Sequence, residues 1–435
     1  MSSTTVEAPT PTPTAAAAIR PDRSKLYGGL AQAVVGLYGL WAFGLGSRTE
    51  NSVKTSFGLK LNPTDTGGLS PVSLPAQPIA ITLAVLAVAC GLVRAFAPVK
   101  TVAMRWLTVG YFVCFLLSFL VWAGAGSNVG INVPGVIQQT AVASVPLVLG
   151  SLSALMCERS GVVNIAVEGQ FLFGAFAAAL TATTTGSVWA GLAAGCLGGA
   201  LMCALLAVFA NRYLIEQVVL GVVLNVFASG VTGFFYDRLM SENSAEYNTP
   251  PLFSVVRIPG LASIPIIGQA LFEQNLIFYA AYVLVPIVWF LLFRTRWGLR
   301  TRAVGEHPTA ADTVGINVSG LRYRNVITAG LLSGLGGVWL TLGLVGAFGK
   351  DMSVGKGYIA IAALIVGRWS PIGALGASIL FGFALELQFA LSSLNTPIPN
   401  AVLQMAPYLT TIFVVAALGG LVRPPAASNK PFIKQ

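Results

Sequence analysis

Residues 159–176 read RSGVVNIAVEGQFLFGAF, an apolar run that carries Asn164, Glu168 and Gln170 in its interior. Apolar runs recur along the chain, in which 55% of residues are hydrophobic and 9% are charged. An ordinary soluble domain has about 25% charged residues. Runs of about 20 apolar residues cross a hydrocarbon core of ~30 Å as helices, and the alternating segments of about ten residues that build membrane barrels do not occur. The sequence therefore predicts an all-α, polytopic helical membrane protein.

We predict about 10–12 transmembrane helices. The twelve candidate spans are 28–46, 78–93, 106–125, 135–156, 162–183, 188–210, 218–235, 276–293, 326–348, 357–367, 372–391 and 401–422. One of them, 357–367, is too short to cross a membrane without help.

The basic residues indicate an orientation. If the N-terminus is cytoplasmic, eighteen of the 25 lysines and arginines fall in interior segments and seven in exterior ones. The positive-inside rule demands this asymmetry. The net charge of +10 therefore predicts cytoplasmic N- and C-termini and does not indicate nucleic-acid binding.

Composition also predicts the domain organisation. Residues 1–25 are rich in Pro, Thr and Ala and have too little apolar mass to fold, which predicts a disordered cytoplasmic tail. The first two spans and their polar connection, 47–77, resemble an accessory hairpin. We assign residues 26–130 to N-terminal accessory transmembrane segments, 131–423 to the transmembrane core and 424–435 to a cytoplasmic C-terminal tail.

Common catalytic and metal sites are excluded by the residues available. The five cysteines lie in candidate spans or at a span end with no metal-site spacing, so we expect small buried side chains. The single histidine, His307, excludes an HExxH zinc site and a Ser-His pair within the spans. Because no GxxxxGK[ST] phosphate-binding loop occurs, any nucleotide must be held by another chain. We expect no catalytic residue, metal or cofactor on this chain.

The longest interior loop, 294–324, carries six arginines. Within it, Ala310, Ala311 and Val314 have the spacing to share one side of a short helix, and Gly305 and Gly315 bracket that helix. A short amphipathic helix with basic flanks fits the groove of a cytoplasmic partner. The alternative is a loop whose arginines only fix the orientation.

Glu168 needs a reason to lie within an apolar run. A charged carboxylate facing lipid costs several kcal/mol, so it should face the bundle interior or a wet cavity. Asn164 is four residues earlier, which predicts that both share one helix face. Three roles stay open: bonding backbone amides of a broken helix, lining a solute path, or packing helices as a protonated or ion-paired group.

Other spans carry similar candidates for a solute path. Glu386 and Gln388 are two residues apart and so do not share a helix face. Asn225 has the choice between a helix–helix hydrogen bond and a ligand contact, and Trp339 offers an aromatic face. The candidate pathway residues are Asn164, Glu168, Gln170, Asn225, Trp339, Glu386 and Gln388.

Four blocks of sequence carry a resemblance to a known family. They are RSGVVNIAVEGQFLFGAFAAA from 159, RTRAVGEHPTAADTVGINVSGLRYR from 300, KGYIAIAALIVGRWSPIGALGASILFGFALELQ from 356 and APYLTTIFVVAALGGLVRPPAASNKPF from 406. In order and spacing they resemble the ATP-binding-cassette (ABC) importer permeases for nucleosides and simple sugars, above all the purine-nucleoside (guanosine-type) permeases. The resemblance covers about residues 134–435.

The resemblance implies a type II ABC-importer fold that takes up nucleosides. It also implies a coupling loop on the ATPase, formed by Gly305, Glu306, His307, Pro308, Ala310, Ala311, Asp312 and Gly315. Family members usually carry Asn at the position of His307, which puts an amide-specific contact there in doubt.

The partners implied are a cytoplasmic ATP-binding subunit that holds ATP and Mg²⁺, a second homologous permease in a heterodimer, a substrate-binding lipoprotein and membrane lipids, with no nucleic acid. The expected location is a bacterial plasma membrane. A permease for simple sugars or branched-chain amino acids and a proton-coupled secondary transporter are the alternatives.

Overall fold

The computed structural model describes residues 24–46, 53–61, 70–97, 101–127, 130–394, 398–406, 408–412 and 423–434. Two compact units divide the chain. The first comprises residues 1–56 and 73–128, and the second comprises 57–72 and 129–435. Each is built mainly of helices.

The first unit contains three long helices, α1 (Ser24–Gly39), α2 (Ala76–Phe96) and α3 (Thr101–Ala123). A π-helical turn, Leu40–Gly44, continues α1. Strands β1 (Lys54–Gly58) and β2 (Val72–Pro75) precede α2, and the unit includes residues 54–56 of β1 and 73–75 of β2. Small residues let α1 and α2 approach closely, which is typical of membrane helices. Helix α3 packs on α2 in the same unit. All three helices lie within or close to residues 26–130, the segment that the sequence analysis assigns to the N-terminal accessory part.

The second unit holds the remaining elements. In chain order they are β3 (Ile131–Asn132), α4 (Val133–Glu158), α5 (Val167–Thr185), α6 (Val188–Asn211), α7 (Gln217–Phe235), α8 (Ser244–Tyr247), β4 (Val255–Arg257), α9 (Gly268–Phe272), β5 (Glu273–Asn275), α10 (Leu276–Arg294), α11 (Arg296–Glu306), α12 (Pro308–Thr313), α13 (Val318–Val338), α14 (Lys356–Val366), α15 (Pro371–Ser393) and α16 (Asn400–Gln404). Further π-helical turns, Tyr236–Met240 and Trp339–Val345, follow α7 and α13. The short strands β4 and β5 pair antiparallel, with Val255 opposite Asn275.

Nine helices in the described part of the chain are long and apolar enough to cross a membrane. They confirm the helical, multi-pass membrane fold. Helix α5 has 19 residues but begins with two polar side chains, and α14 has only 11 residues. Half of the last candidate span, 401–422, lies outside the described residues, at 407 and 413–422.

Helix α4 forms the centre of the second unit, with most of its length buried. Around it, α6 and α13 approach so closely that their backbones touch. A Cβ added at Gly199 would clash with the carbonyl oxygen of Gly330 and the nitrogen of Gly334. Such contacts require glycine, since only a missing side chain lets two helix backbones meet.

The segment between α4 and α5 corrects one prediction. Gly161 has φ +86°, a backbone conformation that ends α4, and residues 162–165 form no regular helix. The predicted span 162–183 therefore begins late, at Val167. Asn164 lies in the unwound segment, so the predicted helix face shared by Asn164 and Glu168 is wrong.

Candidate functional site

The Glu168 carboxylate caps the start of the short helix α14. It accepts hydrogen bonds from the Ser353 hydroxyl at 2.6 Å, the Gly355 amide at 2.7 Å and the Gly357 amide at 2.6 Å. The first amides of a helix have no partner within the helix, and its N-terminus carries positive partial charge. Glu168, 8% exposed, satisfies both needs. This geometry corresponds to the first of the three roles, bonding the amides of a broken helix.

Two glycines make this close contact possible. Gly355 has φ +75°, a left-handed conformation that turns the chain into α14. A Cβ at Gly357 would clash with the backbone nitrogen of Glu168. The start of α5 and the start of α14 therefore meet backbone to backbone, with the carboxylate between them.

We call the place where the starts of α5 and α14 meet the junction. Asn225 of α7 contacts it from a third helix. Its side-chain oxygen accepts from the Gly169 amide at 2.8 Å, and its side-chain nitrogen donates to the Ile165 carbonyl at 3.0 Å and the Tyr358 hydroxyl at 3.1 Å. Both the oxygen and the nitrogen of this buried amide therefore bind neighbouring segments of the chain. The contacts correspond to the helix–helix role considered for Asn225.

Asn164 and Gln170 bond to each other and not to Glu168. Their amides exchange two hydrogen bonds, of 3.2 and 2.8 Å, and both side chains are fully buried. Gln217, at the start of α7, accepts from the Val163 amide at 2.7 Å. Gln217 thus supplies a partner to the backbone of the unwound segment, which lacks helical bonds, and the Asn164–Gln170 pair links the side chains of that segment and α5.

An exposed polar and aromatic surface lies beside the junction. Tyr358 is 48% exposed and Tyr408 is 56% exposed, and a Cβ at Gly355 would lie 3.9–4.0 Å from both. The Asp351 carboxylate accepts from the Ser229 hydroxyl at 2.7 Å. We call these four side chains, Tyr358, Tyr408, Asp351 and Ser229, the junction surface. It combines two aromatic rings with a carboxylate and a hydroxyl.

Three predicted pathway residues lie apart from the junction. Trp339 is 2% exposed and packs in the core, with its ring centroid 6.4 Å from that of Phe278. Glu386 and Gln388 lie on α15, half-buried. Among the described residues no side-chain hydrogen bond joins these three to Glu168 or Asn225.

Sequence reasoning missed Ser353, Gly355, Gly357 and Tyr358, all in KDMSVGKGY, 350–358. The available signal was the short candidate span that follows. A helix too short to cross a membrane must begin within it, and its free amides then need an acceptor from another helix.

The opposite end of α14 is held by Glu158, the last residue of α4, and by Arg159, which follows it; we call this pair the clamp. Arg159 donates from its guanidinium to the Trp369 carbonyl, and the Trp369 indole donates to the Glu158 carboxylate. Arg368 and Trp369 have φ +56° and +50°, a conformation that costs roughly 1–2 kcal/mol for each non-glycine residue. Hydrogen bonds to Arg159 and Glu158 hold this strained turn between α14 and α15.

The predicted coupling loop folds as helices α11 and α12. Its interior face is formed by Ala311, packed with Val304 and Val318. Ala310 is exposed and Val314, just after α12, is 74% exposed. The prediction that Ala310, Ala311 and Val314 share one side is wrong, because the cluster beneath α12 takes Ala311 alone.

Gly305 joins α11 to the clamp. It is buried in the last turn of α11, and a Cβ there would clash with the Arg159 carbonyl. Burial lowers the pKa of the Arg159 guanidinium, while the charge of Glu306 opposes that shift. Glu306, His307, Pro308, Asp312 and Gly315 lie at the surface or half-buried around α12.

No metal site is found in the described part of the chain, where no three His, Cys, Asp or Glu residues cluster. The five cysteines are free thiols.

Comparison with known proteins fits this architecture. A family model described as the branched-chain amino acid transport system permease component matches residues 136–421. The chain belongs to this permease family. No solved structure matches the chain.

Individual permeases of the family match over nearly their whole length. The chain is 40% identical to the guanosine ABC transporter permease protein NupQ of Bacillus subtilis, over 69% of this chain and 96% of the relative. It is 35% identical to the nucleoside ABC transporter permease protein NupC of Lactococcus lactis, over 67% and 94%. A putative glucose ABC transporter permease, TsgC13 of Haloferax volcanii, is 33% identical over 65% and 91%.

Proposed function

We propose that the chain is the transmembrane permease of an ABC importer that takes up nucleosides, purine nucleosides above all. The observation that carries the proposal is the 40% identity to a guanosine permease over 96% of its length. The nucleoside permease at 35% identity supports the same substrate class.

The junction surface has the chemistry that a nucleoside requires. A nucleoside presents a flat base and a hydroxyl-rich sugar, which suit aromatic faces and scattered acceptors. Tyr358 and Tyr408 supply exposed rings, and Asp351 and Ser229 supply oxygens for ribose hydroxyls. Glu168 and Asn225 support this surface from behind and do not bind the solute, because their polar atoms already hold α14 and α5 in place.

The energy would come from a separate ATP-binding subunit that holds ATP and Mg²⁺. This chain has no phosphate-binding loop in its sequence and would act as a transport component without catalytic activity. The ATPase would dock on α11 and α12, and the contact of Gly305 with Arg159 would pass its movement to the turn after α14. A binding lipoprotein would deliver the solute, and a second permease would complete the pathway as a heterodimer.

The orientation follows the charge. We place both termini, α11 and α12 on the cytoplasmic side of a bacterial plasma membrane, where the arginines of 294–324 satisfy the positive-inside rule.

Uptake by cells carrying or lacking the gene tests the substrate. We expect gene-dependent uptake of labelled guanosine or inosine, and competition by unlabelled purine nucleosides. Gene-dependent uptake of glucose or leucine with no nucleoside uptake would show that the chain is a sugar or amino acid permease.

The energy source needs its own test. Deletion of residues 305–316 should leave the protein in the membrane, abolish ATPase co-purification and abolish uptake. A secondary transporter would be identified if a protonophore abolished uptake while ATP depletion left it unchanged.

A further inference from the structure

The C-terminal segment 423–434 is held against the coupling helices, although it forms no helix or strand of its own. The Ala427 amide donates to the Gly305 carbonyl at 2.9 Å, and the Ala426 amide donates to the Glu306 carboxylate at 3.1 Å. Ala427 is 3% exposed. This segment, which we call the C-terminal strap, is therefore tied to the last turn of α11.

Two further anchors hold the strap to other helices. Arg322 of α13, only 1% exposed, donates from Nε to the Ser160 carbonyl and from Nη1 to the Lys430 carbonyl, both at 3.1 Å. The Asn429 amide donates to Glu216 at 2.9 Å. Since hydrogen bonds to charged groups are about twice as strong as neutral ones, both anchors are suited to fixing an irregular segment.

The end of the strap completes the support of α12. Phe432 packs against the apolar cluster beneath α12, formed by Val304, Ala311 and Val318. Helix α12 has six residues, too few to be stable alone in water. Its position therefore depends in part on the strap.

A groove of about 350 Å³ separates the strap from the turn after α12. Its walls combine apolar and polar groups, including one carboxylate and one ammonium group. They are formed by Asp312, Gly315, Ile316, Asn317, Val318, Ser319, Phe432 and Lys434. Beside the groove, Val314 is 74% exposed on one side and Ile433 is 66% exposed on the other.

The charges around this surface favour an acidic partner. Exposed basic side chains outnumber acidic ones on α11, the start of α13 and the strap. The basic ones are Arg296, Arg300, Arg324, Arg423, Lys430 and Lys434. Two exposed aliphatic side chains within a basic rim are complementary to an apolar pocket with acidic edges.

We propose that the C-terminal strap is the second half of the docking surface for the ATP-binding subunit. Val314 and Ile433 insert into that subunit from the two sides of the groove, and the groove receives one of its side chains. The inference rests on the proposed function, because it assumes that an ATPase docks at α12.

The test compares aspartate variants of the two aliphatic side chains. The full permease, as wild type, I433D, I433L or V314D, is purified with its second permease, and binding of the separately purified ATP-binding subunit is measured. We expect I433D and V314D each to weaken binding about tenfold or more, as loss of a buried apolar anchor does. I433L should bind as the wild type does.

Ile433 is 66% exposed and makes no hydrogen bond with the part of the chain that the structure describes, so I433D should keep the unfolding temperature of the wild type. A photo-crosslinking residue at position 433 gives an independent readout. We expect it to capture a peptide of the ATP-binding subunit. That subunit is recognised by the phosphate-binding loop in its own sequence.

The outcomes separate the inference from the proposed function. Binding of I433D within twofold of the wild type, while V314D binds weakly and position 433 captures no ATPase peptide, overturns the strap as a docking element and leaves the proposed function standing. A wild-type permease that binds no ATP-binding subunit overturns both.

Discussion

Glu168 is the residue on which the buried junction between α5 and α14 depends. Its carboxylate supplies acceptors to two amides and one hydroxyl at the start of α14. Water, which would otherwise satisfy these groups, is scarce inside a bilayer. The same contacts explain why an acidic side chain occurs in an otherwise apolar run.

Replacing Glu168 by Gln should therefore destabilise the protein. The amide nitrogen of the new side chain is a donor and would face a donor, leaving buried groups unpaired at a cost of about 1–3 kcal/mol. We expect a lower apparent unfolding temperature in detergent, measured by scanning fluorimetry, and reduced uptake.

Glu242, an exposed acid after α7, is the matched control, and E242Q should behave as the wild type does. An E168Q protein with unchanged unfolding temperature would show that the cap contributes little to the fold.

Tyr358 tests the junction surface as a substrate contact. Base stacking on an aromatic ring is worth about 1–3 kcal/mol, so Y358A should lower guanosine uptake roughly tenfold. Y358F keeps the ring and should retain most of the uptake.

The exposed Tyr213 is the control for the loss of an aromatic side chain. If Y358A and Y213A took up guanosine equally, with both proteins present at wild-type levels, Tyr358 would not be a substrate contact.

At the scale of single helices, α12 begins without a side-chain cap. His307 occupies the N-cap position and its side chain makes no capping bond, whereas Asn is among the strongest caps. H307N should stabilise the first turn of α12 by about 1 kcal/mol. Hydrogen exchange of the amides of residues 309–313 should slow roughly fivefold in H307N relative to H307A.

Exchange as fast in H307N as in H307A would mean that the new side chain does not reach the amides of α12.

Gly305 tests the contact between α11 and the clamp. A Cβ at this position would clash with the Arg159 backbone carbonyl, which cannot move without shifting the segment after α4. G305A should keep the protein in the membrane but reduce nucleoside-stimulated ATPase activity of the assembled importer.

The control is G376A, because a Cβ at Gly376 of α15 would meet nothing within 4 Å. Wild-type ATPase coupling in G305A would contradict the transmission of movement through this contact.

The bounds of helices were predictable from sequence where the length of an apolar run sets them. They were less predictable where contacts with other parts of the chain set them. Long apolar runs must be helical in lipid, so α2, α6 and α10 begin and end close to the predicted bounds. The late start of α5 depends on Gly161 in a left-handed conformation, which composition does not reveal. The burial of Ala311 and exposure of Val314 depend on the cluster beneath α12, which includes Phe432 from a distant part of the chain.

The candidate site was predictable only in part for a related reason. Polar residues in spans identified Glu168 and Asn225, because burying them is costly without partners. Their partners, Ser353 and the amides of Gly355 and Gly357, lie almost 190 residues from Glu168. No spacing rule connects residues so far apart along the chain.

For the whole molecule, the proposed function is that of a conduit driven by a separate motor. In this proposal the carboxylate-capped junction would give the conduit a fixed interior, and α11, α12 and the C-terminal strap would form one surface for an ATPase. Transport against a gradient should then require every subunit.

Reconstitution into liposomes tests this claim most directly. The permease is reconstituted alone, or with the second permease, the ATP-binding subunit and the binding lipoprotein, and accumulation of labelled guanosine is measured with and without ATP. The account predicts accumulation only in the complete assembly with ATP. Accumulation of guanosine against its gradient by the isolated chain would contradict it.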